Sequence, residues 1–112
     1  MSLTNGLIIL KKKTMLGILT GKNKKIKKFL KEDATIVDVR SEVEFEGGHI
    51  RKSVNIPLES LPKQIGSLDK NKPVITCCAS GVRSGSAKRM LKAQGFEVIN
   101  GGGWMSLERH VL

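Results

Sequence analysis

Two adjacent thiols, Cys77 and Cys78, immediately precede Ala79-Ser80-Gly81-Val82-Arg83-Ser84, a run of small residues carrying one fixed cation. The residues before them, Pro73-Val74-Ile75-Thr76, are apolar and β-branched, so the thiols fall at the end of a buried strand. The segment beyond turns helical, marked by Ala87, Met90 and Leu91. A sulfur at such a junction faces backbone amides and the positive end of a helix, which favours the thiolate. Small residues at 79, 80 and 81 let the backbone curl until several N–H groups converge, forming an anion cradle. Arg83 can add a forked cation at its rim. A nucleophilic thiolate beside an anion site suits attack on an anionic substrate, and no histidine partner is required.

Neighbouring strand residues point to opposite faces, so if Cys78 opens onto the loop, Cys77 turns into the packing as a small buried hydrophobe. The alternatives for Cys77 are a resolving thiol or a strained vicinal disulfide. Two cysteines make no disulfide framework. His49 and His110 are too few for a metal site, and no CxxC or HxxxH spacing is present. His49, in the turn Gly48-His49-Ile50, is expected to fix a loop through hydrogen bonds.

The elements that must position this loop can be traced along the chain. Lys24 to Glu32 places Ile26, Phe29 and Leu30 at i, i+3 and i+4, a narrow apolar helical face ringed by lysines. Thr35 to Val39 reads as a strand. Ser41 to Glu46 forms a helical turn capped by Ser41, with Glu44 three residues on, before Gly47-Gly48 stops it. Val54-Asn55-Ile56 is a short strand ended by Pro57, and Leu58, Leu61, Ile65 and Leu68 predict one amphipathic helix with Pro62 in its first turn. The strand over 73–78 and the helix closed by Gly95 follow, and Phe96 to Ile99 is a last strand. Strands alternating with helices predict an α/β domain with a mostly parallel sheet covered on both faces. Ligands of such sheets bind beyond the carboxyl ends of the strands, where the loop from Ala79 to Ser84 lies.

With 112 residues the chain is one domain, long enough to stand without disulfides or a structural metal. Its net charge of +10 invites a nucleic-acid or membrane reading. The excess is local, however. Residues 1–31 hold nine lysines and no acid, whereas residues 32–112 hold eleven basic and ten acidic side chains. Tyrosine is absent, and the three Phe and one Trp form no basic and aromatic stripe of the kind that stacks bases. Leu7 to Leu10 and Met15 to Leu19 are cut apart by Lys11, Lys12 and Lys13, too short for a signal peptide or a membrane span. A cytoplasmic protein is expected, with residues 1–23 a basic leading segment, partly disordered or an upstream extension given the second methionine at Met15, and 24–112 the domain.

The pattern CxxGxRS at Cys78 to Ser84 resembles the active loop of rhodanese-like sulfurtransferases. Asp38-Val39-Arg40, Glu44-Phe45, Gly48-His49-Ile50 and Asn55-Ile56-Pro57 are similar to the family's leading signature in order and spacing, and Gly101-Gly102-Gly103-Trp104 to its trailing one. The resemblance covers roughly residues 24–110. It implies a three-layer fold around a mostly parallel sheet of about five strands, and a thiosulfate sulfurtransferase. Cys78 would take the outer sulfur of thiosulfate or another sulfane donor, release sulfite, and pass the sulfur from a persulfide to cyanide, a thiol or a protein, with no metal or organic cofactor. The amides of Ala79, Ser80, Gly81, Val82, Arg83 and Ser84 would hold the charged sulfur, the Arg83 side chain the sulfonate, and Asp38 and Arg40 would brace the strand end. Trp104 would lid the last strand.

Three other readings stand beside this one. A persulfide relay could serve one protein partner with little turnover of small molecules. A phosphatase or arsenate reductase would need five residues between Cys and Arg, a count found only from Cys77, in a register that puts Ser80 where Gly belongs. The basic segment could anchor the domain to nucleic acid or anionic lipid, though neither partner is expected. The protein is expected to be a monomer or weak dimer.

Overall fold

A computed structural model describes residues 21–112. The apolar pieces and lysines of the first 20 residues lie outside that range. The first helix, α1 (21–31), buries Ile26 and Phe29 and half-buries Leu30, the three positions whose spacing predicts it. Strand β1 (Thr35–Asp38) follows, then α2 (Glu42–Glu46). Short as it is, α2 carries a complete capping box, with Ser41 and Glu44 each bonding the other's backbone N–H. Strand β2 (Val54–Asn55) leads to α3 (Leu61–Gln64), β3 (Val74–Cys78), α4 (Val82–Ala93), β4 (Val98–Gly103) and α5 (Trp104–Val111).

The four strands lie in the order β2-β1-β3-β4 and every pairing is parallel. The described sheet thus has four strands where the resemblance implies about five; the count concerns residues 21–112 alone. The pleat divides the core. Val37, Val74, Cys78 and Val98 pack with Leu61 of α3 and Ala87 and Leu91 of α4. Ile36, Ile75, Cys77 and Ile99 pack on the other face with Ile26 and Phe29 of α1, Ile50, and Leu107 of α5. Side-chain alternation on β3 therefore sends the two cysteines to opposite faces of the sheet. No helix among the described residues is long and apolar enough to cross a membrane.

Two elements depart from the sequence reading. The single helix expected from Leu58 to Leu68 is three short pieces, a 3₁₀ turn at Leu58–Ser60, α3, and a 3₁₀ turn at Ile65–Ser67. Pro62 offers no N–H to an α-helix begun at Leu58, so the α turn restarts around it. The last strand begins and ends later than Phe96 to Ile99, running through the glycines to Gly103, and α5 starts directly behind it. A Cβ at Gly101 would stand 2.8 Å from Ile75 Cγ2 and 2.9 Å from Leu107 Cδ2, so only glycine lets β4 and α5 close on β3 there.

Candidate active site

Cys78 ends β3 with its sulfur almost wholly enclosed, at 1% exposure. The chain then turns through Ala79 and Ser80 to Gly81, whose φ of 105° is left-handed and which begins α4. This turn brings the N–H of Gly81 to 3.0 Å and that of Ser84 to 3.4 Å from Cys78 Sγ. The Ser84 hydroxyl lies 3.3 Å from the same sulfur. Burial pushes the thiol up, but the Ser84 hydroxyl and the amides of Ser84, Gly81 and Ser80 outweigh it, and Cys78 is held below the ordinary cysteine value. Cys77 behaves oppositely. Burial first, then the Asp38 carboxylate, push its thiol up to about 12.

The loop is braced from β4. Asn100 accepts from the Ser84 hydroxyl at 2.7 Å and from the Gly102 N–H at 2.9 Å, and donates to the Gly81 carbonyl at 2.9 Å. Thr76 Oγ1 donates to the Ser84 carbonyl at 2.8 Å, tying the first turn of α4 to the strand beneath it. Ser84 has one hydroxyl proton and two neighbours for it. In the thiol form Cys78 can donate to Ser84 while Ser84 donates to Asn100; in the thiolate form the hydroxyl turns to sulfur and Asn100 keeps the Gly102 amide. Asn100 belongs to none of the sequence motifs. Its signal is a lone amide inside Val98-Ile99-Asn100-Gly101, a buried-strand context in which an amide needs partners.

Arg83 is at the rim, but its fork is occupied. Nη1 and Nη2 donate to Glu44 Oε1 at 2.8 Å and Oε2 at 3.0 Å. Glu44 is held at about 2 by this guanidinium and by Ser41, so the pair persists through the neutral and mildly acid range. The sequence shows Glu44 only as a cap and motif residue; its second role joins α2 to the first turn of α4. Of the other loop residues, Ala79, Ser80 and the Val82 side chain are exposed. The Ser80 amide is near enough to the sulfur to help lower its titration, while the geometric hydrogen bonds to Sγ come from Gly81 and Ser84.

Asp38 and Arg40 lie behind the loop, buried. Arg40 donates through Nε and Nη2 to the Asp38 carboxylate, with the shortest contact 2.7 Å, and reaches the carbonyls of Gly48 and Glu44. The pair touches nothing at the sulfur and holds the β1 end to the turn beyond α2. Trp104 packs, partly buried, against the core cluster that includes Ile99 of β4. Its ring also lies against the Arg40 guanidinium, 4.6 Å from ring centroid to carbon. His49 donates through Nδ1–H to the Phe45 carbonyl at 2.7 Å and stacks on the Phe45 ring, which fixes the turn. Among the described residues no group of three His, Cys, Asp or Glu side chains could hold a metal ion.

The chain that builds this strand-end cysteine and its cradle of amides matches the rhodanese-like domain over residues 22–109. The chain belongs to that family. This rhodanese-like chain is 41% identical over 78 residues to the thiosulfate sulfurtransferase GlpE of Stutzerimonas stutzeri, covering 69% of this chain and 72% of GlpE. It is 34% identical over 83 residues to a sulfurtransferase of Allochromatium vinosum, covering 72% of this chain and 78% of that protein. A crystal structure of a rhodanese-like domain protein from Staphylococcus aureus superposes with a TM-score of 0.62 at 35% identity, over 67% of this chain and 74% of the other. The chain spans about half, 52%, of the Bacillus subtilis protein YqhL, to which it is 44% identical over 66 residues.

Proposed function

We propose that the protein is a sulfurtransferase that carries a sulfane sulfur on Cys78. The observation that carries this reading is the convergence of the Gly81 and Ser84 amides and the Ser84 hydroxyl on one enclosed sulfur. The likeness to sulfurtransferases supports it. The thiolate attacks the outer sulfur of thiosulfate. A new S–S bond forms to Cys78, the S–S bond of thiosulfate breaks, and sulfite leaves with the electron pair. Cyanide or a thiolate then attacks the terminal sulfur of the persulfide, and Cys78 leaves as the thiolate it began as. The cycle is redox-neutral and needs no cofactor.

The amides serve both halves. They stabilise the thiolate before attack and again when it is the leaving group, without reorganising between the two. The Nη1 and Nη2 fork of Arg83 takes the sulfonate of the donor when it releases Glu44, one anion exchanged for another at the rim. Cys77, on the far face of the sheet, has no path to the persulfide.

Thiosulfate-to-cyanide transfer tests the assignment. The Cys78→Ser variant is expected to lose it, while Cys77→Ser keeps it within about twofold, as an isosteric change away from the chemistry. Transfer surviving in Cys78→Ser, or lost only in Cys77→Ser, overturns the proposal.

A further inference from the structure

The exposed side of α1 is strongly charged, with six lysines on an eleven-residue helical stretch. Lys22, Lys24, Lys25, Lys27, Lys28 and Lys31 are all exposed, and Ile26 and Phe29 fix the helix to the sheet so that these six face outward together. Among the described residues only Lys28 of these six has an acid partner, Glu32, at 3.8 Å in an exposed pair of little strength. Lys24, Lys27, Lys28 and Lys31 border a shallow surface cleft with Glu32.

This face begins at the mouth of the catalytic loop. Lys22 Nζ lies 3.3 Å from where a Cβ on Gly102 would stand, and the Gly102 Cα is 3.4 Å from the equivalent point on Gly81. Gly81 is the residue whose amide bonds Cys78 Sγ. From Lys22 the helix carries its lysines away from the sulfur for about 13 Å, at about 1.5 Å per residue. At the loop itself two large apolar side chains are exposed, Val82 (76%) and Val43 (80%), each next in sequence to a member of the Arg83–Glu44 pair.

We infer that the lysine face of α1 is the docking surface for an acidic protein that presents its acceptor thiol to the persulfide on Cys78. This inference rests on the sulfurtransferase reading for its purpose, while the surface can be tested by binding alone. Charge complementarity names the sign of the partner. Its class follows from what accompanies the charge. The face carries lysines and no arginine fork for phosphates. It offers no aromatic platform for bases, since Phe29 is buried and Trp104 lies over Arg40. Among the described residues none of the exposed large apolar side chains is on α1, so its lysine face offers nothing to insert into a bilayer. A basic flank beside an apolar spot at the mouth suits a folded or peptide partner.

Two probes test this, an oligoglutamate peptide ending in cysteine and an oligoglutamine peptide of equal length ending in cysteine. At low salt the persulfidated protein is expected to pass sulfur to the acidic peptide about tenfold faster than to the neutral one. The advantage should vanish at about 0.5 M salt, where the screening length falls well below 10 Å. It should also vanish in the combined variant Lys24→Gln, Lys27→Gln, Lys28→Gln and Lys31→Gln, with cyanide turnover unchanged. Fluorescence anisotropy of the same peptides with serine in place of cysteine measures docking without chemistry. Binding of the acidic peptide that is salt-sensitive and lost in the variant supports the docking surface even if no sulfur moves, which would count against the sulfurtransferase reading only. Equal binding of the two peptides, or acidic-peptide binding that survives in the variant, overturns the inference. So does tighter binding of a single-stranded RNA of equal charge or of phosphatidylserine vesicles.

Discussion

Replacing Ser84 by Ala isolates the hydroxyl contribution to the Cys78 thiolate. The side chain is fully buried, and alanine fits where it stands; the Ser84 and Gly81 amides, belonging to the backbone, remain at the sulfur. Asn100 keeps the Gly102 N–H, so no buried acceptor is left without a donor. A hydrogen bond to an ionised sulfur is worth about 1.5–3 kcal/mol, and the 3.3 Å separation places this one at the lower end. Against it stands the neutral bond from Ser84 to Asn100, about 0.5–1.5 kcal/mol, which the hydroxyl gives up when it turns to the thiolate. The difference, at most about 1 kcal/mol, corresponds to a loss of thiolate of up to roughly fivefold at any pH below the titration midpoint. The pH profile of alkylation by iodoacetamide, measured in a Cys77→Ser background so that one thiol reports, should move to higher pH in Ser84→Ala. A profile that superimposes on the parent, with the thermal midpoint unchanged, would refute the assignment of the hydroxyl as a thiolate donor.

The Glu44 and Arg83 pair gives a second expectation. Glu44→Gln removes the anion that competes for Arg83, so the KM for thiosulfate should fall with kcat little changed; a raised KM would show that Glu44 instead aims Arg83 at the donor. The same pair sets a pH dependence. Glu44 is depressed from 4.5 to about 2, so its contribution to stability is present above about pH 4.5 and is lost as pH falls through about 2. The Tm difference between parent and Glu44→Gln should shrink across that window and not above it. Gly101→Ala should destabilise by about 1–3 kcal/mol, because the new methyl meets Ile75 Cγ2, Thr76 O and Leu107 Cδ2 at 2.8, 2.8 and 2.9 Å; an unchanged urea midpoint would show that β4 and α5 yield easily.

Local patterns in the chain were legible wherever the physics is local. The spacing of Ile26, Phe29 and Leu30 places the buried stripe of α1, and Ser41 with Glu44 forms the box that starts α2. The run Val74 to Cys78 is a wholly buried strand, and its alternation separates Cys77 from Cys78. What the sequence hid is long-range. Glu44 meets Arg83 across 39 positions, and Asn100 meets Gly81 across 19, and no periodicity links either pair. Glycines at 101–103 read as a turn by propensity, yet they form a strand because the tight approach of Thr76, Leu107 and Ala79 admits no Cβ at Gly101 or Gly103. The three broken turns between Leu58 and Ser67 follow the same logic in reverse: apolar spacing suits a helix, and Pro62 withholds the hydrogen bond that would make it continuous. The net charge of +10 belongs chiefly to the leading segment and α1, while the positive potential at Cys78 comes from amides.

Intact-mass analysis after brief exposure to thiosulfate tests the central claim most directly. The account predicts a species heavier by one sulfur atom, discharged by cyanide, formed equally by Cys77→Ser and absent from Cys78→Ser. An unshifted mass in the parent protein, or a sulfur adduct that persists in Cys78→Ser, would contradict it.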